Sequence, residues 1–109
     1  MQAIELTADN AVGLDGFFNT CRLGTKWRDR VTPGERLKFV RAEDKSDICE
    51  VVVARAVSGK YADMEADHAP LNHAHSDAER LREGLRAAYG DAFSPEATVT
   101  FVYVVRPVG

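Results

Sequence analysis

The sequence predicts an α+β domain: a small, partly open β-barrel of about five to six strands, with one main helix packed on it and short helices between strands. Two observations predict the strands. Ile48–Val57 and Thr98–Arg106 are apolar on both faces, the pattern of strands buried within a sheet or closed into a barrel. Thr32-Pro33-Gly34-Glu35 is a reversal that closes a cationic turn and starts a further strand, with Pro fixing φ at one central position and Gly supplying positive φ at the next. The third observation is a helix. Ser76-Asp77-Ala78-Glu79 reads as a capping box, and Leu81, Leu85, Ala88 and Tyr89 then recur as one apolar stripe up to Gly90, which can end the helix.

In chain order, residues 9–16 read as a short helix or turn ending at Gly16. Phe17–Arg22 follows as an alternating strand with Phe18, Thr20 and Arg22 on one face. Lys26–Val31 reads as a cationic turn, Glu35–Arg41 as the strand leaving the Pro-Gly reversal, and Val51–Val57 as the next strand. A short acidic helix containing His68 precedes the main helix, Asp77–Tyr89, and Val99–Val105 is the last strand. No repeat, linker or low-complexity tract divides the 109 residues, so residues 1–109 are read as one domain of a size that needs neither metal nor disulfide.

The composition narrows the functional classes. No apolar run approaches the ~18 residues that span a bilayer, and the first ten residues lack a basic start and an apolar stretch. A cytoplasmic setting without membrane partners is the expectation. Cys21 and Cys49 lie in strand-like segments without metal-type spacing and read as free, small hydrophobes. The net charge of −3 is unevenly spread: residues 17–45 hold eight Lys or Arg against four acids. Such a local positive potential suits a focused site for an anion, and a solvated strand and turn is the alternative. Ala- and Arg-rich usage hints at a GC-rich bacterial or phage genome.

The run R-L-G-T-K-W at Arg22–Trp27 and P-G-E-R at Pro33–Arg36, set between a helix ending in Gly, a strand with T-x-R and a second strand, resembles the ASCH domain, a member of the PUA-like superfamily. The resemblance extends over nearly the whole chain and implies a barrel whose cleft recognises RNA or nucleosides. One enzymatic branch hydrolyses the amide of N4-acetylcytidine with Lys and Thr from a K-x-x-T-x-R strand and a Glu after an H-A dipeptide. Thr20 and Arg22 match that strand here, but Phe17 stands at the Lys position and Asn72 falls near the Glu position. Neither Phe nor Asn titrates, so the transferred mechanism lacks two of its three groups.

A binding role asks less of the residues. Arg22 and Lys26 are candidates for a phosphate, Thr20 and Asn72 for base edges, and Trp27 or Phe18 for stacking. The alternatives are that Arg22 pairs with an internal carboxylate and that Trp27 plugs the barrel end. The enzymatic alternative, a hydrolase of a modified nucleoside or a ribonuclease with a rearranged site, would instead use Thr20 with Lys26 as its base and Glu50 or Asp67 as proton carrier. His68, His73 and His75 are not read as a metal site, because Pro70 interrupts the segment and no single rigid element presents all three. No cofactor is expected. RNA or a nucleotide is the expected partner, and a protein-interaction surface remains the third class.

Overall fold

A computed structural model of the chain describes residues 1–108. The elements in order are β1 (Ala3–Leu6), β2 (Phe17–Leu23), α1 (Lys26–Arg30), β3 (Arg36–Arg41), β4 (Asp47–Lys60), α2 (Tyr61–His68), α3 (Ala78–Tyr89) and β5 (Thr98–Val105), with single 3-10 turns at Ala8–Asn10, Ala69–Leu71 and Gly90–Ala92. The five strands form one sheet in the order β1-β3-β4-β5-β2. The β1–β3 pair is parallel and the others are antiparallel, so the sheet is mixed.

The sheet is not a closed barrel. β1 and β2 are its two edges and share no ladder, and β5 lies inside the sheet between β4 and β2 rather than sealing a barrel. The seam between the edges is bridged by a side chain: Arg22 Nη2 on β2 donates to the Glu5 carbonyl on β1 at 3.2 Å. β1 itself has no counterpart in the sequence reading. Its four residues bury only Ile4 and Leu6, too short a run for alternation to stand out.

Alternation along β5 organises the core. Val102 and Val104 enter a cluster with Ile4, Phe18, Leu37 and Phe39, while Val99, Phe101 and Tyr103 enter a second one with Cys21, Tyr61, Leu81 and Leu85. A strand buried on both faces reads as a continuous apolar run, which is why this segment was visible in sequence. Both ladder irregularities place the extra residue on β4, Ile48 opposite Phe39/Val40 of β3 and Ala54 opposite Tyr103/Val104 of β5, local departures of the kind that bend a strand and raise its twist.

α3 covers the second cluster through Leu81 and Leu85. Its cap is Asp77, whose Oδ1 accepts from the Glu79 and Arg80 N–H groups at 2.9 and 3.1 Å, and not the expected Ser76 box. A carboxylate one residue later reaches the same free N–H groups and also favours the positive end of the helix dipole. Arg82 clamps α3 to α2 through a fork on Glu65, with Nε and Nη2 at 2.8 and 2.5 Å from its oxygens, and holds that carboxyl below the usual range. The expected cationic turn is helix α1, stopped just before the Thr32-Pro33-Gly34-Glu35 reversal, in which Glu35 N donates to Thr32 O at 3.0 Å and Gly34 has φ 91°.

Candidate functional site

A cavity of about 130 Å³ opens at the β1–β2 seam. Thr20 and Arg22, which alternate with Phe18 along β2, supply one wall together with Cys21 between them. Glu5 from β1, His73 and His75 from the loop after α2, and Tyr89 from the end of α3 supply much of the rest. The volume is well below the ~300 Å³ of drug-sized pockets and suits one phosphate or one planar ring rather than an extended ligand.

Arg22 dominates the electrostatics. Its guanidinium makes no ion pair among the described residues, and its Nε is buried without any hydrogen-bond partner. Burial pulls its pKa below the ordinary value, while the nearby Tyr89 hydroxyl, Cys21 and Glu5 act in the opposite sense. Tyr89 lies close enough to stabilise the cation, although no Arg22–Tyr89 hydrogen bond accompanies the one to Glu5. The expectation of an internal carboxylate partner is therefore not met, since Glu5 pairs with Lys45 Nζ at 2.5 Å. Cys21 contributes no nucleophile, because burial pushes its thiol up to about 12.

The opposite wall is held by two buried amides. Asn19 Nδ2 donates to the His68 carbonyl at 2.8 Å, and Asn72 Nδ2 donates to Asn19 Oδ1 at 3.3 Å. Asn72 Oδ1 in turn accepts from the N–H groups of Ala74 and His75 at 3.1 and 2.9 Å. Asn72 thus lines the cavity, but its amide is committed to shaping loop 72–75 rather than free for a base edge. That loop presents His73, which shares a 3.0 Å hydrogen bond between Nδ1 and the Val12 carbonyl. A neutral ring donating there leaves Nε2 as acceptor. Burial first, then Arg22 and His75, lower the His73 pKa against the raising effect of Val12. His75 sits against α3 where Gly84 leaves room: a Cβ at that position would lie 2.6 Å from Nε2.

The other sequence candidates lie elsewhere. Lys26 and Trp27 belong to α1, which packs over β4 and β5, and neither lines the cavity. Trp27 is half-buried against the first core cluster with the Arg30 guanidinium 5.2 Å from its ring centroid, the arrangement of a core cover. Phe18 is buried in that same cluster. The positive stretch is also dispersed, because Arg28 pairs with Asp29, Lys38 with Asp47 and Lys45 with Glu5. Arg22 is the one Lys or Arg of the described chain that lines the cavity.

Phe17 points to the other face of β2, where its ring stacks on Tyr103 at 5.3 Å. His68 joins this group through an Nδ1–Tyr103 hydroxyl hydrogen bond of 2.5 Å, and so is a packed, hydrogen-bonded residue of α2 as expected. Glu50 and Asp67, the proton carriers considered for an enzyme, are exposed on β4 and α2 and do not line the cavity around Thr20. The sequence reading did not bring Glu5, His73, His75 or Tyr89 to this cavity: β1 went unread, the two loop histidines were weighed only as metal ligands, and Tyr89 was placed on the apolar stripe of the helix.

No family model and no curated protein sequence matches this chain. Two solved structures share its fold. The ASCH domain from Lactobacillus crispatus JV V101 superposes with a TM-score of 0.58 at 12% identity, covering 86% of this chain and 65% of that one. A point-mutant ASCH protein from Zymomonas mobilis does so with a TM-score of 0.58 at 15% identity, covering 98% of this chain and 73% of that one. The chain thus spans just under two thirds of the Lactobacillus protein's length. With five strands in a mixed open sheet and short helices packed on it, the chain has the fold of ASCH domains.

Proposed function

We propose that this chain is an RNA- or nucleotide-binding module whose ligand enters the β1–β2 seam and places an anionic group on Arg22, with Thr20 beside it. The observation that carries the reading is the buried Arg22 Nε, a charged donor without a partner at the wall of a cavity. The guanidinium that lines this cavity makes no ion pair among the described residues, and a phosphate there would supply the anionic partner the fold does not, through charge-assisted hydrogen bonds. The Arg fork suits a phosphate because it can grip two oxygens at once. The likeness to ASCH structures supports a nucleic-acid ligand through the RNA-binding association of that domain. Lys26 and Trp27 lie outside the cavity and serve at most as outer contacts along a longer strand.

Titration of a short single-stranded RNA at two salt concentrations tests this. Arg22→Ala should weaken binding across sequences and reduce the salt slope by about one unit, the signature of one lost phosphate contact. Lys26→Ala and Trp27→Ala should each do less. Wild type and a folded Arg22→Ala protein binding with equal affinity and slope would overturn the reading and favour a protein partner.

A further inference from the structure

The seam cavity continues into a larger outer lobe of about 400 Å³. The two lobes share Thr7, Asn10, His75, Gly84 and Ala88 as walls, so they form one cleft with an inner and an outer end. Only the outer lobe adds Asp9 and Ala87.

The ends differ in charge. The inner end holds Arg22, and its one carboxylate, Glu5, is already engaged by Lys45. The outer end holds the exposed Asp9 carboxylate, which has no ion-pair or hydrogen-bond partner among the described residues, and no Lys or Arg lines it. It also lies against Gly84, Ala87 and Ala88 on the C-terminal half of α3, towards the end where the helix dipole disfavours anions. A phosphate is therefore attracted inward and repelled outward, and the outer end favours a hydrogen-bond donor.

The shape of the outer lobe fits a ring. Gly84, Ala87 and Ala88 give one wall without long side chains, and the His75 imidazole is seated in the notch of Gly84, where a Cβ would lie 2.6 and 2.7 Å from its Nε2 and Cδ2. An aromatic ring held this way can stack a base.

We propose that the cleft takes a nucleoside monophosphate unit, its phosphate on Arg22 in the inner lobe and its base beside His75 in the outer lobe, with Asp9 accepting from an exocyclic amino group. This rests on the reading that Arg22 anchors an anion. A carboxylate facing the base edge selects amino-bearing bases over uracil, which presents a carbonyl at the corresponding position.

Cytidine and uridine monophosphates test it, because their rings have the same size and differ at the amino group. Calorimetric titration of the wild-type protein should show the cytidine nucleotide binding about tenfold tighter, the difference expected for one charge-assisted hydrogen bond. Asp9→Ala, at an exposed position, should bring the two within about twofold, whereas His75→Ala should weaken both together. Gly84→Ala should weaken both as well, by displacing His75 while favouring the helix. Equal binding of the two nucleotides, discrimination that survives Asp9→Ala, or Arg22-dependent RNA binding with no mononucleotide binding would each overturn this inference and leave the RNA-binding reading standing. Nucleotide and RNA binding that are both indifferent to Arg22→Ala would overturn that reading too.

Discussion

Thr100 and Arg22 face each other across the β5–β2 ladder and both are polar, Thr100 fully buried and Arg22 half-buried at the edge strand, and the fold treats them differently. The Thr100 hydroxyl donates to the Gly24 carbonyl at 2.6 Å and lies 2.7 Å from the Ser58 hydroxyl, so a buried polar group inside the sheet is fully matched. One strand over, at the seam, Arg22 has one hydrogen bond to a carbonyl and an Nε with none. The interior of the sheet is built for stability. The seam keeps a charged donor unmatched, as a site prepared for a ligand does.

The largest effect that distinguishes the two regions is on stability. Phe101 on β5 is fully buried in the cluster beneath α3, so Phe101→Ala should cost ~3–5 kcal/mol in denaturant unfolding, through lost burial and the cavity left behind. A loss below about 1 kcal/mol would mean that the interior of the sheet is not the stable part of the fold.

Arg22→Met should act in the opposite way. It keeps much of the side-chain volume and removes a buried charge that has no carboxylate partner, forfeiting one hydrogen bond to Glu5. Stability should stay level or rise by ~1 kcal/mol while RNA affinity falls, measured by denaturant unfolding and titration on the same preparation. A destabilisation approaching that of Phe101→Ala would mean that Arg22 is a structural rivet across the seam and not a ligand anchor.

The same contrast explains what the sequence could reveal. β5 and α3 were legible because burial on both faces, or on one helical stripe, imposes a pattern that any such element must carry, whereas β4 showed an apolar run of which the structure buries only Val51 and Val53. Thr20 and Arg22 were legible because strand alternation places them with Phe18, and the structure brings both to one cavity. Lys26 and Trp27 were linked to Arg22 by nearness in sequence alone, and Gly24 with the start of α1 carries them away from the seam. Charge summed over residues 17–45 misled for a related reason: Lys38 and Lys45 meet acids that lie outside that window, Asp47 and Glu5. Asn72 lines the same cavity, and only the folded loop shows that its oxygen is already taken by two N–H groups.

The smallest effect concerns acid. Burial lowers the pKa of His73 at the seam and of His68 under the sheet below their ordinary 6.5, with Arg22 and His75 adding to the first and Arg55 to the second, while Val12 and Asp67 oppose. Each ring therefore takes up its proton more readily in the unfolded chain than in the folded one. Their share of stability is complete above about pH 6.5 and is lost as the pH falls through that value towards the folded pKa, so stability rises with pH across this window. Thermal melts from about pH 7.5 to about pH 5 should show a modest fall in Tm, reduced separately by His73→Gln and His68→Gln. A bound nucleotide distinguishes the two regions. A phosphate on Arg22 offsets the positive charge beside His73 and favours its protonated form, so nucleotide should blunt the His73 part of the acid sensitivity and leave the His68 part unchanged. Acid sensitivity that nucleotide does not alter, or that disappears only with His68→Gln, would place no ligand charge at the seam.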